Sequence, residues 1–522
     1  MSHDRNKSVL ALVLSLLAHG CAPDRVPAKE PAGRPPNIVI ILSDDVGYGD
    51  LGCYGATAVK TPHLDKLAAE GLRFTDAHTP SVMCTPTRYS MLTGEYAFRH
   101  PPVAHGVLSG VAPLSIRPGR TTLPSLLKEA GYATGVVGKW HLGLGEGETD
   151  YNGEIRPGPL DIGFDSFFGY PATNDRVPCV YISDRRVVGL DPKDPIRVSY
   201  GKKIGDDPTG KERPDLLKLH PTEGHDGTIV NGISRIGFMS GGKTARWIDE
   251  EMADVLTRKA VAFIETNKDR PFFLYFATAD VHVPRTPHPR WVGTSAHGTR
   301  GDVLHELDGS AGEVVAAIDR LGLAKDTLLL FTSDNGGIVG DGYNDGSGTD
   351  KSGHRCNGAL RGHKGLIYEG GHRVPFIVRW PGRVKPGVSA ELVSLIDFPA
   401  SFAALAGRKL PDDAAPDSFN VLSALLGEGP SSRDHLVSHA GSGAFAIRKG
   451  PWKLIPADGP DPKHDAGDPP LPAKQAGGRL FNLADDLGES NNLADRNPDR
   501  VKELAELLRR IREAGRSRDL RF

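Results

Sequence analysis

The segment Asn37-Ile-Val-Ile-Ile-Leu42 runs straight into Ser43-Asp44-Asp45. A continuous aliphatic run with no polar alternation predicts a strand buried on both faces, the pattern of a parallel sheet. Residues 133–137 (ATGVV), 271–277 (PFFLYFA), 327–332 (TLLLFT) and 374–380 (VPFIVRW) share that texture and read as further strands. Helical signals lie between them. Residues 61–71 open with Thr61 as cap and Pro62 in the first turn, and stop at Gly71; residues 122–131 repeat the design. Residues 250–267 and 312–322 also read as helices. Strands alternating with helices predict an α/β fold, a large mixed, mostly parallel sheet flanked by helices.

Outward from this core the texture changes. Residues 178–245 are polar and rich in glycine and proline, and read as a long insertion over one face of the sheet; residues 341–358 read as a second, loop-like insertion. Beyond about residue 430 the pattern predicts a small C-terminal α+β subdomain, with a hairpin over 445–455, an exposed loop over 456–478 and a charged helix over 498–515. At the other end Arg5 and Lys7 precede a short apolar run, 9–18, too short to span a bilayer. It reads as a secretory signal, and Ala18-His19-Gly20-Cys21 resembles a bacterial lipoprotein processing site. Residues 22–36 carry four prolines and read as a tether. The expected organisation is therefore signal 1–21, tether 22–36, catalytic domain 37–430 and subdomain 431–522, in a protein exported to the periplasm or lipid-anchored to the envelope.

The whole chain has 522 residues with 63 Lys+Arg against 65 Asp+Glu, a formal charge of −2 that excludes a broad nucleic-acid-binding surface. Of the five cysteines, none forms a CxxC pair, so a structural zinc site is not expected.

The chemistry is expected at strand ends, where ligands gather in open α/β sheets. One strand runs into Asp44-Asp45 and another into Asp334-Asn335. If those strands are neighbours, three carboxylates and an amide oxygen converge, and such crowding of like charge calls for a cation. An all-oxygen set favours Ca²⁺ or Mg²⁺. The bland alternative is two unrelated loops whose aspartates cap the next helices. Cys84-Thr-Pro-Thr-Arg88 places a cysteine at a predicted helix start, where a thiol's pKa falls and it becomes a nucleophile; the alternative is a buried structural cysteine.

Cys84-Thr85-Pro86-Thr87-Arg88, with Leu92-Thr93-Gly94 behind it, resembles the CxPxR signature of the sulfatase family. Residues 37–52, Gly138-Lys139-Trp140-His141-Leu142-Gly143, Ser333-Asp334-Asn335-Gly336 and residues 361–373 follow in the family's order, so the resemblance covers nearly all the mature chain. It implies an alkaline-phosphatase-like fold and hydrolysis of sulfate esters. It further implies that Cys84 is oxidised to formylglycine by a formylglycine-generating enzyme, the hydrate supplying the nucleophile. By the same resemblance, Asp44, Asp45, Asp334, Asn335 and the modified residue 84 bind Ca²⁺, with Mg²⁺ as an alternative. Arg88 is expected to orient the hydrate, and Lys139 and Lys364 to hold the sulfuryl oxygens. His141 is expected to release sulfate from the sulfated intermediate, and His282 to protonate the leaving oxygen with Lys364. His363 receives no role. Where the family often has a serine or histidine after its Gly-x-Pro turn, this chain has Thr173-Asn174, either of which is expected to donate to sulfate.

The expected substrate is a sulfated glycan or small sulfate ester, recognised by the two insertions and the C-terminal subdomain. His225, Arg235, Arg99, His100 and His372 are polar enough to grip a sugar, but the ordinary reading, a solvated loop residue, is preferred for each. Alternatives are a phosphonate monoester or phosphodiester hydrolase of the same superfamily, and an inactive glycan-binding lipoprotein.

Overall fold

The strand β1 (Asn37–Ser43) is buried along its whole length. Ile38, Ile40 and Leu42 face one core, Val39 and Ile41 the other, and each such side chain contributes about 1.5–3 kcal/mol on burial. The computed structural model describes residues 34–222, 224–349, 352–460 and 471–518; the leader and most of the tether, and the middle of the 456–478 loop, lie outside the described residues.

Nine more strands join β1 in one sheet: β2 (Leu72–Phe74), β3 (Ala133–Lys139), β4 (Ser166–Tyr170), β5 (Ile182–Ser183), β6 (Arg186–Val187), β7 (Phe272–Ala277), β8 (Thr327–Ser333), β9 (Phe376–Arg379) and β10 (Gly387–Ser389). Their spatial order is β10-β2-β9-β8-β1-β7-β3-β4-β5-β6. The centre, β8-β1-β7-β3-β4, is parallel throughout. β9 runs antiparallel between β8 and β2, and β5 and β6 are antiparallel at the far edge. The sheet is mixed with a parallel core, as the aliphatic runs predict.

Helices cover both faces. On one side lie α1 (Pro62–Glu70), α4 (Met252–Asn267) and α5 (Gly298–Arg320), burying Leu64, Leu67, Leu256, Ile264, Leu307 and Val314 in the same core as Val39 and Ile41. On the other lie α2 (Cys84–Thr93), α3 (Leu123–Glu129) and α6 (Phe398–Leu405). Thr122 forms the expected capping bond to the Ser125 N–H. Thr61 does not: its hydroxyl accepts from the Gly52 N–H at 2.9 Å and donates to Asp65 at 3.0 Å, tying α1 to the turn before it.

The 23-residue α5 is longer than the helix predicted over 312–322. Glycines obscure its first half, since each costs about 1 kcal/mol in a helix interior. Two of them are required by packing: a Cβ at Gly309 meets the Trp291 ring at 2.8 Å and one at Gly301 the Ser295 hydroxyl at 2.0 Å. The 178–245 insertion folds into two small antiparallel ribbons, Ile229–Val230 with Ile233–Ser234 and Arg197–Ser199 with Phe238–Ser240. The C-terminal segment forms a four-stranded antiparallel sheet, β11 (His435–His439), β12 (Phe445–Lys449), β13 (Trp452–Ile455) and β14 (Arg479–Asn482), against which α7 (Pro498–Glu513) packs Leu504, Leu508 and Ile511.

Candidate active site

Strand register assembles the site. β1 and β8 pair with Ser43 opposite Ser333, so Asp44-Asp45 and Asp334-Asn335 leave the sheet side by side. β7 lies on the other flank of β1, with Leu42 opposite Ala277, which brings the turn carrying His282 beside them. The backbone locks this: Asp44 N–H donates to the Asp280 carbonyl at 2.9 Å, and Val281 N–H to the Asp44 carbonyl at 2.6 Å. β3 follows β7, delivering Lys139 and His141. The two acidic strand ends are thus one cluster, not separate helix caps.

Asp44, Asp45, Asp334 and Asn335 are fully buried. Asp45 takes a left-handed backbone (φ 62°), which turns its carboxylate toward the Asn335 Nδ2 at 2.7 Å and the Lys364 Nζ at 2.8 Å. Asp44 accepts from the Lys139 Nζ at 2.5 Å. Burial, outweighed by Lys364 and Lys139, leaves Asp45 below the usual carboxylate range, whereas burial and Asp334 push Asp44 up to about 8. Asp44 Oδ1 and Asn335 Oδ1 are buried with no hydrogen-bond partner. Such orphaned oxygens are costly, and a hard cation satisfies both; the donor set fits Ca²⁺ or Mg²⁺. A second grouping, His78, Glu369 and His372, already has the Lys453 ammonium 3.0 Å from Glu369 and 3.1 Å from His372 Nε2. The loops tolerate no added bulk: a Cβ at Gly336 lies 1.8 Å from the Gly370 carbonyl.

Cys84 opens α2 and is 1% exposed. Burial raises its pKa, outweighing the nearby Lys139, so the thiol itself is not the activated nucleophile the helix position suggests. Its Sγ lies 3.3 Å from the His141 Nδ1. His141 has a left-handed backbone (φ 55°), and its Nε2 faces the Leu108 carbonyl at 3.0 Å. That carbonyl can only accept, so the ring proton is on Nε2 and Nδ1 presents a lone pair to residue 84. Burial, with Lys139 beside it, keeps His141 neutral, well below the usual histidine range.

Arg88 is wholly buried, and its donors go elsewhere than residue 84: Nε and Nη2 to Asp334 at 3.0 and 2.7 Å, Nη1 to the Lys139 carbonyl and the Tyr275 hydroxyl, each at 3.1 Å. Lys364 bridges Asp45 and Asp341, at 2.8 and 3.2 Å; these carboxylates outweigh burial and hold its ammonium well above the usual lysine range. His282 Nδ1 donates to the Val283 carbonyl at 2.7 Å, leaving Nε2 toward Asp45, 3.9 Å away. Burial and Lys364 lower its pKa well below the usual range. His363 Nδ1 faces the Lys364 carbonyl at 2.7 Å.

Other expectations are corrected. Thr173 is not a free donor, since its hydroxyl is engaged by Asp175 and accepts from Arg176 Nη1 at 2.7 Å. Asn174 turns its amide N–H groups to the His282 and Pro284 carbonyls, at 3.4 and 3.5 Å. Arg99 pairs with Asp417, and Arg235 is buried against Asp249. His100 stacks on Tyr89, and His372 joins a buried chain with His78 and Lys453. These four are structural. His225, with Asp341 and Tyr343, lines a cavity of about 460 Å³, and its Nε2 meets Asp175 at 3.1 Å. Sequence reasoning missed Arg176 and Asp341. Arg176, whose charge reaches His141 and Cys84, follows β4 only a few residues past Tyr170, which the register sets beside Lys139.

A family model named Sulfatase matches residues 36–408. The chain is 50% identical over 483 residues to an N-acetylgalactosamine-6-O-sulfatase of Bacteroides thetaiotaomicron, spanning 91% of this chain and 93% of that one. It is 32% identical over 434 residues to the N-acetylgalactosamine-6-sulfatase of Mus musculus, spanning 81% and 72%. A solved structure of a 6S-sulfatase, from work on metabolism of multiple glycosaminoglycans by Bacteroides thetaiotaomicron, matches with a TM-score of 0.88 at 50% identity, covering 92% of this chain and 99% of that one. Ordered motifs, parallel core and buried oxygen cluster agree with these matches: the chain belongs to the sulfatase family.

Proposed function

We propose that this sulfate ester hydrolase removes the 6-sulfate of N-acetylgalactosamine in sulfated glycans. The observation that carries the sugar and its position is the 50% identity, over nearly the full length of both chains, to a relative of that name. The cavity beside Lys364, walled by His225, Asp341 and Tyr343, supports a polar sugar seat next to the reacting centre.

In this reading residues 37–430 are the catalytic domain and 431–522 an appended subdomain. Cys84, converted to formylglycine by a generating enzyme, supplies an oxygen nucleophile. Asp44, Asp45, Asp334 and Asn335, with residue 84, would hold Ca²⁺, which would supply Lewis-acid charge to the site. His141 accepts a proton at Nδ1, the lone pair already aimed at residue 84. Lys139 and Lys364 hold the sulfuryl oxygens with fixed positive charge, the electrostatic stabilisation that sulfuryl transfer needs. Arg88 acts through Asp334, fixing its carboxylate. Charge building on the bound ester raises the proton affinity of His282, which then protonates the leaving oxygen from Nε2, while Lys364, which keeps its ammonium protons, steadies that oxygen by donating a hydrogen bond. The leader, tether and Cys21 support export and a lipid anchor as the cellular setting.

Two measurements test this. The mass of the tryptic peptide of residues 74–88, from protein made with a formylglycine-generating system, should show loss of sulfur and two hydrogens and gain of one oxygen. Release of sulfate should then be fastest from N-acetylgalactosamine-6-sulfate, against the 4-sulfate and N-acetylglucosamine-6-sulfate. An unmodified cysteine in a host that matures a control sulfatase defeats the nucleophile. Preference for either competing sugar, or for phosphate esters, defeats the substrate assignment.

A further inference from the structure

Arg285 is as buried as Arg88, its side chain 1% exposed, yet it touches none of the groups assigned to the chemistry. Its guanidinium holds five acceptors on three segments. Nε donates to the Val281 carbonyl at 3.1 Å, and Nη2 to the Ile338 carbonyl at 2.9 Å. Nη1 donates to the Val339 carbonyl at 2.8 Å, the Asp345 carboxylate at 2.7 Å and the Ser347 hydroxyl at 3.3 Å.

Each segment carries part of the site. Val281 precedes His282. Ile338 and Val339 lie between Asn335 and Asp341, the partner of Lys364. Asp345 belongs to the stretch 340–349, which together with Thr222 and His225 walls the 460 Å³ cavity. Glycine fills four of those ten positions, 340, 342, 346 and 348, so the wall has little stiffness of its own. Its first half is tied to the other insertion. The Thr222 N–H donates to the Gly342 carbonyl and the Asn344 N–H to the His220 carbonyl, both at 2.9 Å, and the Tyr343 hydroxyl donates to the Ser234 carbonyl at 2.7 Å. Its second half is tied to the catalytic frame through Arg285. A charge-assisted bond in a buried setting is the stronger kind of tie.

We infer that Arg285 is a positioning residue whose ion pair with Asp345 sets the sugar-facing wall at a fixed distance from the ester-cleaving centre, so that it governs recognition of the glycan and not cleavage of the S–O bond. The inference rests on the cavity being the sugar's seat. A substrate with a small flat leaving group does not need that wall; a sulfated sugar does.

The test is Asp345→Asn, which keeps the side chain's shape and removes its charge, with Arg285→Lys as the conservative partner variant. For N-acetylgalactosamine-6-sulfate, Asp345→Asn should raise KM about tenfold or more with kcat within twofold, and Arg285→Lys should fall between it and wild type. For 4-nitrophenyl sulfate, kcat/KM should stay within twofold. Equal losses on both substrates would show a general structural role and overturn the inference, as would an unchanged KM for the sugar. If wild type does not cleave that sugar, the substrate assignment fails separately, and amide hydrogen exchange decides. Faster exchange over 340–349 in Asp345→Asn, with 327–335 unchanged, supports the clamp; unchanged exchange over 340–349 overturns it.

Discussion

Replacing Arg88 with Met keeps bulk and removes one buried charge. Asp334 then loses a partner that donates to it twice, at 3.0 and 2.7 Å, and the Lys139 carbonyl and Tyr275 hydroxyl lose a shared donor. Both members of the ion pair are wholly shielded from solvent, so the relevant scale is that of breaking a buried pair from one side, about 3–5 kcal/mol. Against a total stability of about 5–15 kcal/mol, that is a large fraction. Urea unfolding followed by tryptophan fluorescence measures it, once in EDTA and once in saturating Ca²⁺. In EDTA the apparent unfolding free energy of Arg88→Met should fall by about 3–5 kcal/mol. In Ca²⁺ the gap should narrow, because a divalent ion beside Asp334 supplies the missing positive charge. A variant within about 0.5 kcal/mol of wild type in EDTA, the range of an ordinary surface change, would refute the buried-pair reasoning. The same gap in both solutions would refute Asp334 as a cation ligand.

Cys84→Ala should abolish sulfate release while leaving near-ultraviolet circular dichroism unchanged, since among the described residues the thiol's hydrogen-bond partner is His141 alone; retained turnover sinks the nucleophile. His282→Ala should slow a sulfated sugar more than 4-nitrophenyl sulfate, by about tenfold or more, the low end of a general acid's contribution; equal losses remove that role. Burial lowers His439 to about 4 from the ordinary 6.5. The unfolded chain takes up that proton first, so the contribution is complete above pH 6.5 and is lost as pH falls toward 4, by about 3 kcal/mol. The melting temperature of wild type should therefore drop more steeply than that of His439→Phe between pH 7 and 4.5, and parallel curves would contradict this.

The sequence made the central strands and the acidic strand ends legible because burial on both faces leaves an unmistakable aliphatic run, and because metal and sulfate chemistry accept few residue types. Asp44 and Asp334 could be paired only by supposing that their strands were neighbours; the β1–β8 register supplies that fact. Arg176 and Asp341 escaped because nothing local distinguishes them: each matters through a fold-dependent neighbour, His141 and Cys84 for one, Lys364 for the other. The first half of α5 escaped because Gly301 and Gly309 obey packing against Ser295 and Trp291 and not helix propensity. Arg99 and His372 show the converse, where a polar side chain in a promising place answers to a buried partner distant in the chain, and Arg235 answers to buried Asp249 only 14 residues on.

The Lys453 ammonium also orders events in time. It lies between Glu369 and Glu489, 3.0 and 2.8 Å away, and Glu489 in turn accepts the Glu369 N–H at 2.7 Å. The turn that begins just after Lys364 is therefore completed by residues that a ribosome delivers only after every proposed catalytic side chain. Until β13 and the stretch around Glu489 emerge, Glu369 has only the Arg373 guanidinium, 3.2 Å from one of its oxygens, and lacks the ammonium that meets the other; a buried ion pair left incomplete in this way is costly. A late stop codon that spared every catalytic side chain would still leave this turn unsealed, so the tail of the gene is as exposed to truncating mutation as its catalytic heart.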